Sequence, residues 1–424
     1  MNRAERLDFF QNVTIALLSV SAVLLFSQTE MFRMAWKTAE ESFLLASRIP
    51  SRVSTEAALS VPVRLAAAGS YGRHGDLFLT TDSPLFQSTR TLLAAAFSHS
   101  EAQWEEIPRA DFLRSLDAVS LYCDFLHPLP LSLLAGLTDT VSPETREARC
   151  VAIVEESGGG TALYLWDGRE TYSRRPSPVP RQELEEAVGQ YRPGNASFAM
   201  DHEPEESRWR AVSPLSLLPG RTPSLPQLSA TSGSAGTDAL LAALRFNPLT
   251  NSRYPESNGT EVVVEGARTV RLRANGSVYY QAAGTDERSV LSVESAGEIP
   301  TPWEAAAGCT SLLRSLLGSG GTGALYPCEV RQDENRTYLR FEYQFSGVPI
   351  RFSDGQSAAE VVLDGQSVSS LELRPRQYTA AEWESLLLPL PQALNIAAMR
   401  PGSELMVGYA DDGSGQISAA WMES

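Results

Sequence analysis

The stretch Thr337-Tyr-Leu-Arg-Phe-Glu-Tyr-Gln-Phe345 decides the fold class. Leu339, Phe341, Tyr343 and Phe345 alternate with Tyr338, Arg340, Glu342 and Gln344. A period of two places the first set on one face of a strand and the second on the other, so this is a sheet with one face in a core. Working outward, residues 348–352, 359–363 and 368–373 extend it as a meander, with Asp364-Gly365 as a turn. A helix is predicted around 303–317. Thr379 with Glu382 forms a capping box for a helix through Leu387, and 405–409 with 416–422 close the chain as a hairpin.

Further upstream, a helix at 238–245 is followed by strands at 261–264, 270–273 and 278–281. Asn275-Gly276 between the last two predicts a type I′ turn, because both residues tolerate positive φ. Nearer the N-terminus, strands at 61–65 and 77–80 precede a helix with Leu85, Leu92, Leu93, Ala96 and Phe97 on one stripe. A second helix carries Phe112, Leu113 and Leu116, and strands return at 119–125, 151–154 and 163–166. Residues 173–236 turn to Pro, Ser, Glu and Arg and read as breaker-rich connection, helical only at 184–191. The expected fold class is α+β, helices packed on antiparallel sheets. The expected division is a tail (1–8), a transmembrane anchor (9–27), a stalk (28–55), and an N-terminal domain (56–172). The connection (173–236), a middle domain (237–297) and a C-terminal domain (298–424) follow.

With 424 residues and 43% hydrophobic content the chain can bury sizeable cores. Its formal charge of −16 argues against nucleic acid as a partner, since phosphate recognition needs clustered cations. Lys37 is the only lysine, which reads as codon bias. From Phe9 to Ser27 there is no charge, and that length of helix spans about 28 Å, close to a bilayer's hydrocarbon core. The following Phe26-Ser-Gln-Thr-Glu30 lacks a small-x-small cleavage pattern, so an uncleaved single-pass anchor is expected over a signal peptide, with the short N-terminal tail cytoplasmic and the rest extracytoplasmic. Cys123, Cys150, Cys309 and Cys328 fall as two sequence-local pairs. Bridges within each pair and four buried free thiols are both open readings.

Three stretches together resemble the YycH/YycI family. They are the N-terminal span, Leu244-Arg-Phe-Asn-Pro248 running through Asn258-Gly-Thr260 and Arg268-Thr-Val-Arg-Leu272 to Tyr279-Tyr280, and Phe345-Ser-Gly-Val-Pro-Ile-Arg-Phe352 with 361–370. Leu121-Tyr-Cys-Asp-Phe-Leu-His-Pro-Leu-Pro130 and Trp421 are similar to the same pattern. The resemblance implies α+β domains outside the membrane and no catalysis. It also implies control of a sensor histidine kinase of the WalK type, alongside a second anchored regulator of the same family. The four cysteines and the lysine-poor composition depart from the family's usual members.

Signals for chemistry are weak. Gly318-Ser-Gly-Gly-Thr-Gly323 matches GxGxxG, but a helix precedes it where a dinucleotide site needs a strand. His74, His99, His127 and His202 show no metal-ligand spacing, so neither metal nor cofactor is expected. No GxSxG occurs, and the carboxylate pairs Glu105-Glu106, Glu185-Glu186 and Asp411-Asp412 read as solvated surface. Asn195, Asn258, Asn275 and Asn335 sit in N-x-Ser/Thr sequons and read as turn residues. Within the anchor, Asn12, Ala16, Ser19 and Ala22 share a face whose small and hydroxyl side chains would permit helix pairing in lipid. The expected function is therefore a non-enzymatic accessory regulator of a sensor kinase. A binding or assembly module of the cell envelope is the competing class.

Overall fold

The computed structural model describes residues 48–49, 62–80, 83–97, 103–136, 146–191, 194–202, 209, 212–233, 236–283, 291–317, 323–399 and 404–423. The N-terminal half builds one sheet. Its strands are β1 (Arg64–Gly69), β2 (Gly72–Leu77), β3 (Glu105–Ile107), β4 (Ser120–Pro130), β5 (Glu147–Glu155), β6 (Thr161–Trp166), β7 (Tyr172–Ser177), β8 (Ala196–Phe198) and β9 (Leu217–Pro219). They lie in the order β9-β8-β2-β1-β4-β5-β6-β7-β3, each pair antiparallel. The middle strands are buried on both faces, which explains runs such as Val151-Ala-Ile-Val154 that show no alternation. One face packs on α1 (Pro84–Phe97), α3 (Leu131–Gly136) and α4 (Arg181–Gln190). The other packs on α2 (Arg109–Ser115) and Leu215.

The C-terminal half builds a larger sheet from β11 (Ser252–Pro255), β12 (Glu261–Glu265), β13 (Arg268–Leu272), β14 (Val278–Ala282), β15 (Ala324–Asp333), β16 (Arg336–Phe345), β17 (Val348–Phe352), β18 (Ala359–Asp364), β19 (Ser367–Leu373), β21 (Leu405–Asp411) and β23 (Ala419–Glu423). Its path is β11-β12-β13-β14-β19-β18-β16-β17-β21-β23, with β15 along β16. β16 is the strand read from the sequence, its odd positions 337–345 buried and its even ones half-exposed. The helix α6 (Pro302–Leu317) lies on this sheet with Ala305, Cys309, Leu313 and Leu316 inward. Thr301 and Glu304 cap it reciprocally: the Thr301 N–H donates to Glu304 Oε2 at 2.9 Å, and the Glu304 N–H donates to Thr301 Oγ1 at 3.2 Å. A third, small sheet joins β20 (Arg376–Glu384), β10 (Pro226–Ser232) and β22 (Gln416–Ile417). The remaining helices are α5 (Thr237–Ala243) and α7 (Leu390–Ala397).

Several expectations are corrected. An α+β arrangement of three domains gives way to a sheet-dominated body, 45% strand against 22% helix, in which both large sheets feed one continuous core. The middle and C-terminal domains are one sheet, because β14 pairs with β19 from Val278↔Leu373 to Gln281↔Ser370. Residues 173–236 are not a linker; they supply strands to the N-terminal sheet and the central strand of the small one. Residues 379–384 are strand, since the pairing of Gln377–Ala380 with Leu228–Thr231 outweighs the local capping signal. At Asn275-Gly276 only the glycine has positive φ, and the Gly276 N–H donates to the Arg273 carbonyl. The Arg273 N–H donates to the Ser277 carbonyl, so the loop is three residues, 274–276, ending in a left-handed glycine, rather than a two-residue type I′ turn. The type I′ geometry is found at Ser346-Gly347, with φ of 49° and 78°.

The single-pass anchor, and the localisation drawn from it, are also corrected. Among the described residues no helix is long and apolar enough to cross a membrane. Asn12, Ala16, Ser19 and Ala22, with the whole of 9–27, lie outside the described residues.

Candidate functional site

Four charged side chains meet inside the body. Arg64 and Asp124 are register partners on β1 and β4, and Arg149 stands on β5. Glu404 arrives from the start of β21. Asp124 is fully buried and receives Arg64 Nη1 at 3.2 Å, Arg149 Nε at 3.1 Å and the Leu126 N–H at 2.8 Å. Arg149 also donates to Glu404, and its guanidinium lies over the Trp166 ring at 5.1 Å. Burial alone would raise the Asp124 carboxyl, but Arg149 and Arg64 outweigh it and hold it below the usual carboxylate range. Two cations and two anions cancel, and the neighbouring cavity of about 10 Å³ has room for one water at most. The arrangement is a clamp between the N-terminal sheet and the C-terminal hairpin.

A second polar cluster joins the halves at Glu342 on β16. His127 Nε2 lies 3.2 Å from its Oε2, the Tyr326 hydroxyl donates to the same atom at 2.7 Å, and Arg351 Nε is 3.6 Å away. Burial would raise this carboxyl, yet His127, Arg351 and the Tyr326 hydroxyl pull it down to about 2. Burial pushes the Tyr326 phenol up, with Glu342 adding to the effect. A carboxylate held ionised by the His127 and Tyr326 contacts and the Arg351 charge nearby, facing a phenol that keeps its proton, is suited to cohesion rather than to proton transfer near neutral pH.

The remaining sequence candidates are scattered. All four cysteines are free thiols. Cys123 and Cys150 sit on adjacent strands but face opposite cores, so a bridge between them is geometrically barred. Burial pushes the thiols of Cys123, Cys150 and Cys309 up, away from nucleophilic thiolate. Asp411, expected on the solvated surface, is buried and receives Arg376 through two bonds of 2.8 Å and the Tyr378 hydroxyl at 2.8 Å; Asp412 is exposed. Asn258 and Asn275 are turn residues, each accepting the N–H two positions on. Residues 318–322 of the GxGxxG match lie outside the described residues. Among the described residues no group of three His, Cys, Asp or Glu is placed to hold a metal.

One surface feature went unread in the sequence. The segment Leu386-Leu-Leu-Pro-Leu-Pro391 has its prolines at positions 389 and 391, which bar helix before Pro389 and start α7 after it. Leu386 is 95% exposed, Leu387 packs on the core, and Leu388 is 45% exposed. On α7, Ala393, Leu394 and Ala397 face a satellite core with Leu218 and Leu405, while Ile396 and Met399 beyond it stay 57% and 82% exposed. Between this segment and β23 lies a cleft of about 600 Å³, bounded by Leu386, Leu388, Ile396, Met399, Trp421 and Glu423. The indole N–H of Trp421 donates to the Leu388 carbonyl at 2.8 Å and ties the two walls together. Trp383, three positions before Leu386 on β20, is 70% exposed. Leucines in a proline-punctuated run read as core in one dimension; only the seating of α7 turns them outward.

Comparison with family models, with curated proteins and with solved structures finds no match to this chain.

Proposed function

We propose that the chain is a non-catalytic protein-binding protein, an accessory regulator that engages its partner through the apolar cleft between 386–399 and β23. The observation that carries this reading is the concentration of the exposed side chains Leu386, Leu388, Ile396 and Met399 along one formed cleft. Isolated surface hydrophobes need no explanation, whereas a contiguous apolar patch marks a binding face. Asp124, Glu342 and Glu404 held in ion pairs, and Cys123, Cys150 and Cys309 buried with their thiols pushed up, support the same view. From the resemblance to YycH/YycI we take the class of partner, a sensor histidine kinase or a second regulator of that family, contacted through the described body alone.

The test is site-specific photocrosslinking in the native cell. A photoreactive residue at Met399 is compared with one at Leu249, a 78% exposed apolar side chain outside the cleft. A defined polypeptide captured at 399 and not at 249, identified as a kinase or its regulator by mass spectrometry, is the expected result. Equal capture at both positions, or none, contradicts a binding role for the cleft.

A further inference from the structure

We infer that Asn258 is a site of spontaneous covalent modification: Asn258-Gly259 closes to a succinimide and opens to aspartate or isoaspartate, while the matching pair Asn275-Gly276 stays intact in the folded chain. This chemistry needs no partner and is separate from the proposed binding role. Two hairpin loops of the larger sheet carry the same motif, Glu256-Ser-Asn-Gly-Thr260 between β11 and β12 and Arg273-Ala-Asn-Gly-Ser277 between β13 and β14. Their main chains match. The Glu256 N–H donates to the Thr260 carbonyl at 2.7 Å and the Gly259 N–H to the Glu256 carbonyl at 3.0 Å. The Arg273 N–H donates to the Ser277 carbonyl at 2.9 Å and the Gly276 N–H to the Arg273 carbonyl at 2.8 Å. Gly259 and Gly276 have φ of 79° and 85°.

In each loop the asparagine Oδ1 accepts the N–H two positions on, at 2.9 Å from Thr260 and 3.0 Å from Ser277, a donor placed where negative charge develops during attack at Cγ. The glycine has no Cβ to shield its nitrogen. Hydroxide takes the glycine amide proton, the nitrogen bonds to Cγ, the Cγ–Nδ2 bond breaks, and ammonia leaves with a proton from water. Water then opens the ring at either carbonyl. Asparagine and water thus become ammonia and aspartate or isoaspartate, and the loop gains a carboxylate. The nitrogen can attack only when its bond to the carbonyl three positions back has opened, so the rate follows how readily each hairpin opens. Here the two loops differ. β11 ends the path of the sheet, its four residues are exposed, and it pairs with β12. Asn258 and Gly259 are both exposed, and a Cβ on Gly259 would meet the Ala274 side chain at 3.7 Å, an ordinary contact. The second hairpin lies inside the sheet, with β12 on one side and β19 on the other. Ser232 of β10 packs on its loop: a Cβ on Gly276 would run into the Ser232 hydroxyl, which lies 3.5 Å from the Asn275 carbonyl.

The experiment incubates the full-length chain in mildly alkaline buffer, native and in urea, and follows each asparagine by peptide mapping with mass spectrometry that separates aspartate from isoaspartate. In urea both sites should convert at similar rates, because the two Asn-Gly sequences are alike. In the native chain Asn258 should convert about tenfold faster than Asn275 or more, since an edge hairpin opens more often than an interior one. Gly259→Ala, in open surroundings, should slow conversion of Asn258 and leave Asn275 unchanged. Equal native rates, a faster rate at Asn275, or an Asn258 that converts in urea and stays intact in the native chain overturns the assignment. A difference of the same size already present in urea overturns it too, by tracing the selectivity to sequence and not to the fold. Conversion of Asn258 at an unchanged rate in Gly259→Ala overturns attack by the Gly259 nitrogen.

Discussion

Arg149 and Glu404, 255 positions apart in the chain, form an ion pair buried between the N-terminal sheet and the C-terminal hairpin. With Arg64 and Asp124 they make a neutral quartet whose members lose their solvation together, so each depends on the others remaining charged.

Glu404→Gln leaves two guanidinium groups against the single carboxylate of Asp124. A loss of about 3–5 kcal/mol is expected, the cost of an uncompensated buried charge. Arg149→Met combined with Glu404→Leu restores neutrality around the Arg64–Asp124 pair, 3.2 Å apart, and should cost less than the two single changes summed. Urea unfolding of the four proteins measures the coupling; additive losses would show that the quartet is not a unit.

Glu342 predicts an acid dependence. Its folded pKa, about 2, lies below the ordinary glutamate value of 4.5, so its contribution is complete above 4.5 and is lost as pH falls toward 2. The stability gap between the wild type and Glu342→Gln should narrow by about 2 kcal/mol between pH 5 and pH 3. A gap independent of pH in urea midpoints would mean that His127 and Arg351 do not hold the carboxylate.

Gly347 sits where the β16–β17 turn meets the loop after β2. Its φ of 78° suits glycine, and a Cβ there would fall 2.4 Å from the carbonyl carbon of Phe78. Gly347→Ala should therefore destabilise by at least about 3 kcal/mol, strain and backbone overlap acting together. Gly355→Ala, also at positive φ but in open space, should cost about 1 kcal/mol. Equal effects on thermal unfolding would remove the close approach as the cause.

The four thiols should be titratable in the denatured chain without reductant, and Cys123, Cys150 and Cys309 should resist alkylation in the native one. A Cys123–Cys150 peptide in a non-reduced digest would contradict the opposite-face placement of the two side chains.

Legibility followed the range of the interactions. β16 is legible almost residue by residue because its alternation is local, and the helix at 302–317 because its apolar periodicity is local too; its Thr301–Glu304 cap is a local signal that went unread. The union of the middle and C-terminal regions was not readable, since β14 finds β19 across about ninety residues and pattern does not encode partners. The stretch 173–236 looked like a linker because its strands are short, proline-flanked and completed only by pairing elsewhere. Thr379 and Glu382 offered a sound cap that sheet pairing overrode. The cleft was the least legible feature, because whether a leucine is core or surface depends on where α7 docks.

Photocrosslinking from Met399 in the native cell, with and without Ile396→Glu, tests the cleft most directly. A defined polypeptide should be captured from position 399, and Ile396→Glu on the same cleft wall should abolish that capture. Capture unchanged by Ile396→Glu would contradict the account.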